Sequence, residues 1–271
     1  MEPAYILKWH QEMGIVDMTA SSPVDGFALK SQILKKPANT SKPVAAVQET
    51  AQPVMAADPT KAVRPPSDVA LDTRKLADAC KTLDDLRDAV HSFKGLGITR
   101  TATNVVFSDG NPNSDVMFIG EAPGADEDRQ GIPFCGQSGQ LLSQILKYIG
   151  LSRDKNYYIT NSVFWRPPGN RKPTPEELAA CHPFVEKHIA LINPKLIVLV
   201  GGTAVTSVLG KAGGITKIRG TFFDYTNPYV DHNIAVMPMF HPSYLLRSPG
   251  QKKYAWEDAL KIAEFTSSSA R

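Results

Sequence analysis

Short apolar runs at 116–119, 157–160, 196–200 and 234–237 have the residue types and lengths of buried strands. Between or after them, residues 139–149, 175–191, 203–209 and 251–265 space their apolar positions as helices do. Strand and helix in alternation predict an α/β fold, a mostly parallel sheet with helices on both faces. Upstream, Leu76, Ala79, Leu83, Leu86 and Val90 follow in three- and four-residue steps, which predicts one amphipathic helix over 71–93. Apolar positions between Tyr5 and Met13 predict a short helix within 1–20. Residues 21–66 are rich in Ala, Pro, Ser, Thr, Val, Lys and Gln without periodicity. They cannot bury enough apolar surface to offset chain entropy, so a disordered linker is expected. The folded domain is expected over 67–271.

With 271 residues, 42% of them hydrophobic, the chain can bury a sizeable core. A formal net charge of +3 permits a polyanionic partner without demanding one, so any basic patch has to be local. Cys80, Cys135 and Cys181 are odd in number and lack CxxC spacing, which argues against a disulfide framework and for a reducing compartment. No apolar run reaches the length of a membrane span, and the N-terminus lacks a basic stretch ahead of an apolar core. A soluble, cytoplasmic protein is expected.

Candidate chemistry lies where the strands should end, the side on which open α/β sheets bind ligands. Gly120-Glu121-Ala122-Pro123-Gly124-Ala125-Asp126-Glu127-Asp128 follows the first run, and Glu121 stands at the strand's mouth. Taken alone, that stretch also fits a solvated acidic turn. In Gly131-Ile132-Pro133-Phe134-Cys135-Gly136 the Phe134 ring is either presented from a turn or anchored in the core. Ser138 opens the next helix, whose free N–H groups suit a phosphate. Asn161 ends a strand, and its amide sets a donor beside an acceptor, as needed to read a base edge. A strand-ending Asn also makes ordinary local turns.

Phe164-Trp165-Arg166-Pro167-Pro168-Gly169-Asn170-Arg171-Lys172-Pro173 interleaves basic and aromatic residues. That pattern suits a nucleic-acid backbone and equally a solvated loop. In Phe240-His241-Pro242-Ser243-Tyr244-Leu245-Leu246-Arg247 the proline holds His241 in an extended pose. Tyr244, Leu245 and Leu246 then read as the apolar tip of a loop flanked by Arg247, Lys252 and Lys253. Enzymes push a base out of the stack with such a tip, and the basic flanks favour that reading over a hydrophobic loop tucked onto the core.

In their order and spacing, GEAPGADED, GIPFCGQSG, YITN, RPPGNR and HPSYLLR resemble the family 4 uracil-DNA glycosylases over residues 100–265. The resemblance implies a three-layer α/β/α sandwich around a mainly parallel sheet, and excision of uracil from DNA. It implies that Glu121 activates water and stabilises the cationic sugar, and that His241 stabilises charge on uracil O2. Gly120 would belong to the uracil pocket, Phe134 would stack on the flipped base, and Asn161 would bond its edge. Ser138, Arg166 and Arg171 would hold DNA, and Ser243, Tyr244, Leu245, Leu246 and Arg247 would fill the gap in the duplex. Where family 1 relatives carry a tyrosine that blocks the thymine methyl, this chain has Gly124.

The resemblance also implies a 4Fe–4S cluster held by a cysteine pair ahead of the first motif, one cysteine before RPPGNR and one in the next helix. Only Cys181 of that set is retained: Trp165 stands at the third position and 93–98 holds no cysteine. Such clusters need four thiolates. No cluster is therefore expected, with Trp165 packed into the vacated space. The expected partner is uracil-containing DNA, single- or double-stranded, met by a monomer whose N-terminal arm tethers a further protein. Two rival readings fit less well. The first is a uracil-DNA-binding protein, catalytically impaired or covalent, and the covalent relatives carry a histidine near 215–220, where none occurs here; the second, a nucleotide-binding enzyme, would carry GxGxxG or GxxxxGK[ST], which are absent.

Overall fold

The computed structural model describes residues 66–211 and 214–269. The helix expected within 1–20 and nearly all of the linker expected over 21–66 lie outside the described residues. In chain order the elements are α1 (Pro66–Ala79), α2 (Leu83–Ser92), α3 (Ile98–Thr101), β1 (Ser108–Gly110), β2 (Val116–Gly120), α4 (Ala125–Gln130), α5 (Gln137–Tyr148) and β3 (Tyr158–Asn161). There follow α6 (Pro175–Ile192), β4 (Leu196–Val200), α7 (Gly202–Leu209), α8 (Ile215–Ile218), β5 (Phe223–Tyr225), β6 (Ile234–Met239), α9 (Pro242–Arg247) and α10 (Lys252–Ser269).

Six strands form one sheet in the order β1-β3-β2-β4-β6-β5. The four inner strands are parallel, and β1 and β5 join antiparallel at the two edges. Every residue of β2, β3 and β4 is buried, because helices cover both faces. Along β2, Met117 and Ile119 face one layer, with Ala77, Leu86, Phe184 and Val205 from α1, α2, α6 and α7. Val116 and Phe118 face the other, with Leu142 and Leu146 of α5 and Ile262 of α10. The alternation of side chains along each strand thus fills two cores, giving the α/β/α sandwich.

Three predicted elements change. The helix expected over 71–93 is two helices, because Thr82 caps α2. Its hydroxyl accepts the Asp85 N–H at 3.1 Å, and the Asp85 carboxylate accepts the Thr82 N–H at 2.9 Å. This reciprocal pair outweighs the unbroken apolar period. Strand β6 runs to Met239, through Pro238. Proline is tolerated because β5 pairs only with Ile234–Val236, so the side Pro238 faces has no ladder bond to lose, and its carbonyl accepts the Gly220 N–H at 2.8 Å. The segment expected as an apolar-tipped loop, 242–247, is the helix α9.

A buried ion pair braces the end of the sheet. Asp258 of α10 is fully buried, and burial pushes its carboxyl up to about 6 against the pull of Arg219. Arg219 donates to both Asp258 oxygens, at 2.9 and 2.7 Å, and lies 5.6 Å from the Phe240 ring centroid. Arg219→Ala is expected to cost about 3–5 kcal/mol, since it strips the partner from a buried carboxylate. Urea unfolding measures the loss. The deficit is expected to narrow on acidification, as the Asp258 carboxyl takes up its proton and no longer needs the cation.

Candidate active site

The parallel pairing of β2 with β3 places Gly120 directly beside Asn161 at the carboxyl ends of both strands. Next along the sheet, β4 runs into Gly201, and β6 runs through Phe240 into His241. A cleft of ≈ 800 Å³ opens over these ends. Glu121, Phe134, Asn161 and His241 all line it, as do Ser138, Arg171, Ser243, Tyr244, Leu246 and Arg247. Four segments separated in sequence therefore meet in one site at the position an open parallel sheet favours for ligands.

Gly120, expected in the pocket, is buried and off the cleft wall; it is the seat on which two of these side chains rest. A Cβ on it would lie 2.4 Å from Asn161 Oδ1 and 2.5 Å from Phe134 Cζ, so only a bare Cα admits both. Asn161 is almost wholly buried, with its side chain on the cleft wall. Phe134 combines the two alternatives left open by its sequence context: its ring packs in the core layer with Phe118 and Val200 and also faces the cleft. Its backbone sits at φ 53°, the left-handed region.

His241 is the N-cap of α9. Its Nδ1 accepts the Ser243 N–H at 3.2 Å and lies 2.8 Å from Ser243 Oγ. With Nδ1 accepting, the neutral ring carries its proton on Nε2. Burial pushes the imidazole below its ordinary range, Glu121 pulls it upward, and Arg247 pushes it down; burial prevails. The ring lies 5.9 Å from that of Phe134, tilted by 33°. Gly201, at φ 96°, admits this packing, since a Cβ there would stand 3.1 Å from the His241 Cβ.

The other acids of the first motif are spent on structure. Glu127 accepts the N–H of Gly124 at 3.1 Å and of Gly136 at 2.9 Å, tying the turn after Glu121 to the turn after Phe134. Asp128 is buried and accepts the N–H of Thr103 and Asn104. Asp126 pairs with Arg129.

Two expected contact residues stand differently. Leu245 is fully buried, a correction to the exposed apolar tip expected there. Successive residues of a helix point about 100° apart, so α9 turns Leu245 inward and leaves Leu246 exposed at the cleft. Arg166 is off the cleft wall; its Nε donates to Asn170 Oδ1 at 2.7 Å, and Nη1 lies 3.9 Å from Asp128. Arg171 lines the cleft with its fork on Glu177 at 2.7 and 2.8 Å. Gln137, Lys172, Gly201 and Gly202 also line it and were not singled out by sequence reasoning. Gly201-Gly202 directly follow a buried apolar strand, and that is the signal that marks them.

The three cysteines are free and stand in different parts of the chain's fold. Cys80 follows α1 and donates to the Leu76 carbonyl, Cys135 lies in a turn, and Cys181 is buried in α6. Burial raises all three thiols, Cys181 to about 12. Among the described residues no group of three or more His, Cys, Asp or Glu side chains could hold a metal ion. Trp165 is fully buried, its ring 5.8 Å from Phe93, which in turn lies 5.8 Å from Phe184. No helix among the described residues is long and apolar enough to cross a membrane.

Titration of His241, followed by NMR, is expected to show a midpoint below the ordinary histidine value of about 6.5. A midpoint at or above that value would mean that Glu121 outweighs burial.

Residues 107–261 match the family model of the Uracil DNA glycosylase superfamily. A Type-4 uracil-DNA glycosylase of Sulfurisphaera tokodaii is 40% identical over 188 residues, covering 68% of this chain and 84% of that protein. The protein of the same name from Thermotoga maritima is 43% identical over 166 residues, 60% of this chain and 83% of its own length. That of Saccharolobus solfataricus is 37% identical over 191 residues, 69% and 87%. With the cleft's four segments lying inside the matched region, the chain belongs to the uracil-DNA glycosylase superfamily and to its type-4 group.

Proposed function

We propose that this protein is a uracil-DNA glycosylase, which takes uracil out of the DNA stack, hydrolyses its N-glycosidic bond and leaves an abasic site for base-excision repair. The observation that carries the reading is the convergence of Glu121, Phe134, Asn161 and His241 on one cleft. The glycosylases that match about two thirds of the chain support it. Phe134 stacks on the extruded base. The Asn161 amide pairs with its Watson–Crick edge, and cytosine's reversed donor–acceptor pattern would leave buried groups unpaired.

As the C1′–N1 bond breaks, its electron pair leaves with the base and charge gathers on O2. The Nε2–H of His241 donates to that oxygen from a position already fixed by the α9 cap. Glu121 stabilises the cationic sugar and orients a water, whose oxygen bonds to C1′. The proton shed by the water passes through Glu121 and ends on the uracil anion. Ser138, Arg171, Ser243, Tyr244 and Arg247 hold the strand at the cleft, Arg166 meets it only outside the cleft, and Leu246, rather than Leu245, enters the space the base vacates. The protein acts as a monomer on single- or double-stranded substrate.

The reading includes no iron–sulfur cluster. The packing of Phe93, Trp165 and Phe184 and the placing of the three free cysteines in different parts of the fold support this. Anaerobic reconstitution with iron and sulfide is expected to give no stoichiometric cluster absorption; its appearance overturns the point.

Cleavage of a uracil-containing oligonucleotide, developed with alkali, tests the activity. Glu121→Ala and His241→Ala are each expected to lower kcat by about a hundredfold or more while uracil-DNA binding persists. A wild-type protein that binds such DNA and never releases the base would sink the proposal.

A further inference from the structure

Phe134 holds a backbone conformation that a phenylalanine seldom enters, at φ 53°, and something must keep it there. The carbonyls of Pro133 and Phe134 both accept hydrogen bonds from a single guanidinium, Arg153 Nη1 and Nη2, each at 2.9 Å. In an extended chain successive carbonyls point to opposite sides, so one planar fork can take both only when the chain turns between them. On its far side the Phe134 carbonyl is pressed against α5, where a Cβ on Gly139 would lie 1.7 Å from the oxygen. The Phe134 ring, carried by this fixed backbone, comes to rest on Gly120.

Arg153 belongs to the α5–β3 connection and does not line the cleft. Its side chain is mostly buried, and its remaining ion-pair partner is Asp109 Oδ2 at 2.8 Å, on the edge strand β1. We propose that Arg153 is the positioning residue of the base-stacking platform: from outside the cleft it locks the turn that presents Phe134. The proposal rests on the reading of Phe134 as the stacking ring.

Inhibition by free uracil reports on the platform without involving the sugar or the strand. Its inhibition constant is to be measured for Arg153→Ala, Arg153→Lys, Phe134→Ala and the double variant Arg153→Ala/Phe134→Ala, alongside melting temperatures. Arg153→Ala and Phe134→Ala are each expected to weaken uracil inhibition by about tenfold, in the range of base–aromatic stacking. The double variant is expected to match Phe134→Ala alone, because both changes remove one platform. Arg153→Lys, which keeps a donor but not the fork, should fall between, and it serves in the same cycle if the alanine variant does not fold. Asp109→Ala leaves both carbonyl bonds in place and should lower melting with uracil inhibition held within about twofold.

A lowered melting temperature with unchanged uracil inhibition in both Arg153 variants overturns the proposal, as do losses that multiply in the double variant. If Phe134→Ala itself leaves inhibition unchanged, the stacking reading fails and takes the proposal with it. If Phe134→Ala weakens inhibition and Arg153 substitution does not, this proposal alone fails.

Discussion

The site depends on the parallel register between β2 and β3. That register sets Gly120 against Asn161, and on the missing side chain of Gly120 both the amide and the Phe134 ring find room. A slip of one residue would turn Asn161 toward the opposite helix layer and put Ile119 where the glycine stands. The register is held by burial on two sides at once, with Phe118 in one core and Met117 and Ile119 in the other. Neither layer can shift the strand without exposing the apolar residues of the other, so the precision of the cleft is inherited from the packing of the sandwich.

Around that seat, the loops are joined to one another by side-chain hydrogen bonds. Glu127 bonds backbone N–H groups in two turns, those that follow Glu121 and Phe134. Asp128 holds the 103–104 segment. Arg219 bears on Phe240, next to His241, while pairing with Asp258. Glu121, Asn161 and His241 stand at the mouths of strands, and the side chains that hold their loops reach across from elsewhere in the fold.

The inner strands were legible because a run such as Leu196–Val200 is apolar throughout and has no other stable fate. The edge strands β1 and β5 were not: Ser108-Asp109-Gly110 is three residues long and polar, too short to show a period of two. The break before α2 was written in Thr82 and Asp85 but hidden under a continuous apolar period. In α9 the His-Pro pair that reads as an extended entry is also a helix N-cap followed by proline at the first position, and that ambiguity misplaced Leu245. That Glu121, Asn161 and His241 line one cleft was legible because a strand end marks each of them. Arg153 could not, since it grips carbonyl oxygens, and every residue has one.

The capping of α9 by His241 narrows what position 241 can be. The imidazole closes the first turn of a helix through Nδ1 and, by doing so, turns its proton outward on Nε2. Tautomer and helix start are one event, with no carboxylate needed behind the ring. A residue of similar reach that could not accept the Ser243 N–H would free the helix end, and one that could accept it but offered no second nitrogen would keep the fold and be chemically mute. Under the proposed reaction, drift at this position is therefore constrained from two directions, by the architecture as well as by the chemistry.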